Sequence, residues 1–173
     1  MKSIFFTSDH HFGHKGVIKH SNRPFQSVEE MNEIMIQRWN KKVKRNDIVY
    51  HLGDIGLTSS NKLIPIIDRL NGLIHLIKGN HDNFNQDCAS RLEWIKDYYE
   101  LKLPDPDSTN NQLLVLMHYP LMTWKGKYSG SYHLFGHSHG KLKGFNKKNS
   151  LDVGVDCHDF YPISYEEVRG IMR

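Results

Sequence analysis

Ile4-Phe5-Phe6-Thr7-Ser8-Asp9-His10-His11 decides the reading of this chain: an apolar, β-rich run stops abruptly in one carboxylate and two imidazoles. The pattern recurs. Gly53-Asp54 ends Ile48-Val49-Tyr50-His51-Leu52, and Gly79-Asn80-His81-Asp82 ends Ile74-His75-Leu76-Ile77-Lys78. His118 ends Leu113-Leu114-Val115-Leu116-Met117, and Gly136-His137-Ser138-His139 ends Tyr132-His133-Leu134-Phe135. In open α/β sheets, ligands sit in the crevice beyond the carboxyl ends of the strands. Laid side by side, these strands would bring five polar clusters to one crevice. A lone strand-end Asp or His is usually a turn former, but five in succession, each rich in ligand types, point to a metal site.

Outward from these clusters the chain alternates strand and helix patterns. Val28–Val43 has a helical apolar face of Val28, Met31, Ile34, Met35 and Trp39, with Ser27 and Glu30 at capping-box spacing. Further helices are expected over Ser59–Leu70, despite Pro65, and over Asp87–Lys96, with a short one after Ser164. Strands are expected at Ser3–Ser8, Asp47–Gly53, Leu73–Gly79, Tyr98–Leu103, Gln112–Met117, Tyr132–Phe135 and Leu151–Val155. Two long loops, Asp9–Gln26 and Tyr119–Ser131, are of the kind that often carries function.

The length of 173 residues fits one domain spanning 1–173, with 38% hydrophobic residues for a core. No apolar run approaches the roughly 18 residues that cross a bilayer, and Asp9 interrupts any signal-peptide core. With a mean hydropathy of -0.59, a soluble cytoplasmic protein with no membrane partner is expected. Cys88 and Cys157 lack CxxC spacing, which excludes a disulfide framework and a cysteine-rich zinc site. The net charge is +4, and its densest basic run, Arg38–Arg45, reads as a solvated helix end, with a nucleic-acid patch as the alternative.

The donor inventory of the five clusters is carboxylates, imidazoles and one amide, without thiolate. Such a set suits two divalent ions, manganese first and iron, zinc or nickel next, over a structural zinc. Counting Asp54 twice as a bridge gives four donors for each ion.

In this order, Asp9-His10-His11, Gly53-Asp54, Gly79-Asn80-His81-Asp82, His118 and Gly136-His137-Ser138-His139 resemble the DxH, GD, GNH(D/E), H and GHxH blocks of the calcineurin-like metallophosphoesterases. The segments Asn22-Arg23-Pro24-Phe25, Val49–Asp54 and Leu151–Asp156 are similar to those of a small bacterial and phage subgroup. The resemblance implies an α/β fold, a four-layer α/β/β/α sandwich of two mixed sheets flanked by helices. It also implies a ligand set: Asp9, His11, Asp54 and His139 for one metal, and Asp54, Asn80, His118 and His137 for the other. His81 matches the catalytic histidine and Asp82 its acidic partner, expected to keep the imidazole protonated and oriented. The implied activity is hydrolysis of phosphoric esters by in-line attack of a bridging hydroxide.

Phosphoprotein phosphatases of this class continue the GD block with further Asp and Arg, which Gly53-Asp54-Ile55-Gly56-Leu57 lacks. A phosphodiester, such as a nucleotide or RNA end, is therefore the expected substrate, with a phosphomonoesterase and a non-catalytic scaffold as alternatives. His14 and Arg23, on the first long loop, are candidates either to meet substrate phosphate or to fix the loop. His51, His75 and His133 read as core histidines, and His10 either as a structural hydrogen-bonding residue or as a substrate contact.

Overall fold

A computed structural model describes residues 2–142 and 148–172. In chain order the elements are β1 (Ile4–Thr7), α1 (Lys15–His20), α2 (Val28–Lys42), β2 (Ile48–His51), α3 (Ser60–Ile67), β3 (Leu73–Ile77) and α4 (Gln86–Ala89). There follow β4 (Trp94–Lys96), β5 (Tyr98–Pro104), β6 (Asn111–Met117), β7 (Tyr132–Phe135), β8 (Ser150–Asp152), β9 (Ile163–Ser164) and α5 (Tyr165–Met172). Two mixed sheets result. The first runs β4-β3-β2-β1-β9 and is parallel except for β9. The second runs β5-β6-β7-β8 and is parallel except for β5. Only Asp97 separates β4 from β5, so the chain steps from one sheet to the other in a single residue.

Strand alternation divides the apolar residues between two cores. Phe5, Val49 and Ile74 face Met31, Met35 and Trp39 of α2 and Leu63 and Ile67 of α3. Phe6, Tyr50 and Ile77 face Leu101, Leu114, Leu116 and Leu134 of the second sheet. Helix α5 closes this inter-sheet core beside β9 with Tyr165 and Val168. The far face of the second sheet is covered by the segment 119–131, where Trp124 donates to Ser131 Oγ (3.1 Å) and Leu121 N donates to His133 Nε2 (3.0 Å).

The alternating strand pattern and the long helix form as expected. Ser27 Oγ accepts from Glu30 N (3.1 Å), while the Glu30 carboxylate reaches Gln26 N, one residue beyond a reciprocal box. At α5 the box is complete: Ser164 and Glu167 exchange both bonds. Three expectations change. The helix placed over Asp87–Lys96 is a single turn, and Trp94–Lys96 instead pairs with β3, because Trp94 packs between Tyr50, His75 and Tyr99. The loop Asp9–Gln26 contains α1, which shows no side-chain cap and is anchored by buried Val17. Strand β8 stops at Asp152, whose carboxylate accepts from Gly154 N (2.8 Å) and turns the chain before Val155.

Among the described residues, no helix is long and apolar enough to cross a membrane. Leu116 lies fully buried between the sheets. Leu116→Ala should therefore lower the unfolding free energy by about 3 kcal/mol, read from urea denaturation at unchanged m-value.

Candidate metal centre

Three of the five strand ends, those of β1, β2 and β7, turn the chain out of the sheet through left-handed residues. Asp9 (φ 59°), His11 (52°), Asp54 (57°), His137 (67°) and His139 (48°) all adopt the left-handed conformation. That region costs a non-glycine residue about 1–3 kcal/mol and tends to persist only where the surroundings over-determine it. Backbone bonds do so here: Asp9 N donates to Gly53 O, His11 N to Asp54 O and Gly136 N to His118 O, each at 2.9–3.0 Å. Close approach makes two glycines obligatory. A Cβ at Gly79 would strike the Asp54 carboxylate, and one at Gly136 would strike Ser8 and Asp9.

These turns assemble two groups of donors, Asp9 with His11 and His139, and Asp54 with His118 and His137. Within each group the ligand atoms lie within 4.8 Å of one another. Asp54 also joins the groups, because its Oδ2 stands 3.5 Å from His11 Nε2 and 3.6 Å from His118 Nε2. Donors about 2.1 Å from a common ion at tetrahedral angles are about 3.4 Å apart. Asp54 Oδ1 is engaged by His81 N (2.9 Å), leaving Oδ2 turned toward both imidazoles. Asn80 Oδ1 lies 3.1 Å from His118 Nε2, beside the second group.

The imidazoles are oriented by their other nitrogens. His118 Nδ1 meets Leu52 O at 2.7 Å, and His139 Nδ1 meets Asp156 Oδ2 at 2.6 Å. With Nδ1 as the donor, Nε2 of the neutral imidazole is the free ligand atom in each case, the arrangement that metal-binding histidines use. Burial pushes His11 down to about 2, so that it is a neutral donor, and its buried Nε2 has no hydrogen-bond partner. Burial pushes Asp9 up to about 7 against the pull of His139 and Ser8. A buried carboxyl short of positive charge, an orphaned imidazole nitrogen and two convergent donor groups fit a pair of divalent cations.

The calcineurin-like phosphoesterase family model matches residues 2–153. The chain belongs to this family. It is 33% identical to an uncharacterized protein of Methanocaldococcus jannaschii, over 96% of this chain and 89% of that one. Identity to the gene 66 protein of Mycobacterium phage D29 is 29%, over 100% of this chain and 97% of that protein. A crystal structure of a protein of unknown function from Aquifex aeolicus shares the fold, with a TM-score of 0.76, 22% identity and coverage of 99% and 100%.

Within this family site, Asp82 stands elsewhere than expected, and of the two readings left open for Arg23 the structure shows the loop-fixing one. Asp82 does not support His81. Its Oδ2 accepts from Asp54 N and Gly79 N (both 2.8 Å) and its Oδ1 from Ile55 N (2.9 Å). Burial raises its carboxyl to about 6 while these amides oppose the shift. Asp82 is thus a strut between two turns. Arg23 is closed to phosphate. Nε and Nη2 fork onto Asp156 (both 2.8 Å), and the remaining donors hold His10 O (2.9 Å) and Asp9 O (2.6 Å). Its side chain has no exposed surface. A bidentate guanidinium–carboxylate pair is the better-satisfied arrangement, so the fork serves the loop and not the substrate.

His81 is half-buried, its ring 5.3 Å from that of His11. His14, also half-buried, brings Nδ1 to 3.4 Å from His11 Nδ1. His10 points away, bonded to His51 (2.9 Å) under Trp39 and Phe12. Sequence reasoning missed Asp156 as a site residue. Burial opposes its ionisation, yet His139 and Arg23 hold it at about 2. It also missed Asp152, which secures the last cluster through Ser138 Oγ (2.7 Å) and Gly140 N (3.0 Å). Both lie in Leu151-Asp152-Val153-Gly154-Val155-Asp156, where the alternation of Asp with Val and Gly was the available signal.

Asp156→Asn should weaken manganese binding about 10- to 100-fold in calorimetric titration, because His139 loses its charged partner. Asp82→Ala should destabilise the fold by at least about 2 kcal/mol in urea, since buried amides lose their acceptor.

Proposed function

We propose that the protein is a metal-dependent phosphodiesterase that hydrolyses its ester in one in-line displacement. The observation that carries this reading is the position of Asp54 Oδ2, within 3.6 Å of one imidazole from each donor group. Asp9, His11, Asp54 and His139 would hold one divalent ion, and Asp54, Asn80, His118 and His137 the other, with manganese as the first choice. Bound there, the two ions would bring the pKa of water from about 16 toward neutrality and offset phosphoryl charge.

The protein's own groups supply the rest. Leu52 O and Asp156 hold His118 and His139 in the tautomer that presents Nε2. His81, whose amide is tied to Asp54 Oδ1, presents its ring beside His11 at the rim. As water oxygen bonds to phosphorus and the ester P–O bond breaks, His81 passes a proton to the departing oxygen. Of the water's two protons, one is lost as it becomes the nucleophile and balances, by way of solvent, the proton that returns to His81; the other stays on the product phosphate or leaves as that ionises. His14 stands where it can contact a phosphoryl oxygen. Arg23 cannot add a guanidinium for a dianionic monoester, because Asp156 and two carbonyls occupy it. This favours a diester, which carries one charge fewer.

Manganese-loaded protein should therefore turn over bis-p-nitrophenyl phosphate faster than p-nitrophenyl phosphate, and EDTA should abolish both activities. A reversed ratio would make the protein a monoesterase. His81→Asn should retain the wild-type manganese stoichiometry while kcat falls about 100-fold or more; unchanged kcat would remove His81 from proton transfer.

A further inference from the structure

The charge of this chain is distributed in a way that the hydrolase reading does not use. Residues 108–151 contain six lysines and no Asp or Glu, and residues 10–28 contain Lys15, Lys19 and Arg23, again with no acid. The described parts of these two stretches border the site. The first carries His118, His137 and His139; the second begins at the first donor cluster and includes α1. Helix α1 is fastened to the rim at both ends, by His14 on His11 (3.4 Å) and by Ser21 Oγ beside His139 Nδ1 (3.2 Å). Lys141 Nζ adds a bond to His20 O (2.6 Å).

Between those anchors, Lys15 and Lys19 are four residues apart on one helix face, opposite buried Val17. Both are exposed, and neither forms an ion pair among the described residues. The α2 part of the basic run contrasts with them: Lys42 is paired with Glu167, and Arg38 lies on Asp159 O and over Phe160 and Tyr161; Lys44 and Arg45, beyond the helix, are exposed without an ion pair among the described residues. Across the site from α1, Tyr119 sets its ring edge-on to His137 (4.7 Å) and His118 (5.0 Å) and keeps 40% of its surface in solvent.

Two lysines without ion-pair partners on one rim and an open aromatic ring on the other match a polymer with repeating phosphates and planar bases. Resting on the phosphodiesterase reading, we infer that the substrate is a single-stranded nucleic acid lying across the centre, its flanking phosphates on Lys15 and Lys19 and a base beside the scissile phosphate on Tyr119. An ordered strand needs both elements: phosphate contacts supply salt-dependent affinity, and stacking tolerates any base.

The test measures binding separately from turnover. Full-length protein, stripped of metal so that nothing is cut, is titrated with fluorescein-labelled single-stranded RNA and DNA 12-mers at several salt concentrations. For Lys15→Glu/Lys19→Glu the slope of log K against log salt should become shallower by at least about 1.4, since each lysine on a single strand accounts for about 0.7. Tyr119→Ala should lose about fivefold or more in affinity with its slope unchanged. A slope that the lysine variant does not change would overturn the inference, as would competition by inorganic polyphosphate equal to that of the oligonucleotide, or tighter binding of duplex than of single strand.

The two readings fail separately. Strand binding with these slopes, but no diester cleavage after manganese loading, would sink the hydrolase and keep the strand site. Turnover of bis-p-nitrophenyl phosphate without strand binding would do the opposite.

Discussion

The Asp82 carboxylate accepts from the amides of Gly79, Asp54 and Ile55, and through those bonds the turns after β2 and β3 become one rigid piece. Asp54 needs that rigidity. Its backbone is left-handed, one of its oxygens is tied to His81 N, and the other must stand between imidazoles from two separate strands. A displacement of about 1 Å there would spoil both donor groups, and catalytic geometry tolerates little more than about half of that. The left-handed residues are the cost of turning three of the strand ends, those of β1, β2 and β7, into the crevice, and the surrounding amide bonds offset it.

A second, half-buried carboxylate plays the same part on the other side. Asp156 takes the Arg23 fork on both oxygens and orients His139, while the same guanidinium holds the carbonyls of Asp9 and His10. One charged pair thus joins the first loop, the first donor cluster and the last histidine. Replacing either member would leave a buried charge without its partner, which is far more damaging than losing a surface pair. Neither carboxylate belongs to a donor group, yet the spacing of those groups follows from these two.

Beyond the donors the molecule is asymmetric. The α2 cations are paired or laid on aromatic rings, whereas the lysines of α1 face solvent at the rim of the site. Net charge by itself is a poor guide to a binding face, because Coulomb attraction at a surface depends on whether a counter-charge already stands within a few ångströms. The α2 part of the run that looks most basic on paper, Arg38, Lys41 and Lys42, is therefore less available than its charge suggests.

The two-residue period of the strands and the donor clusters at their ends are local properties, so the sequence alone pointed to most of the strands, to the crevice at their ends and to the candidate donors Asp9, His11, Asp54, His118, His137 and His139. Periodicity also located α2 and the cap of α5, whose signals lie within a single turn. The sequence could not determine which side chain a buried carboxylate meets. Asp82 follows His81 directly but bonds to amides that lie up to 28 residues away, and Arg23 meets Asp156 across 133 residues. Likewise Trp94–Lys96 became a strand because an open edge and an aromatic cluster outweighed local helix preference. Long-range partners are chosen by desolvation: a polar group taken out of water must find whatever donor the packed fold brings to it.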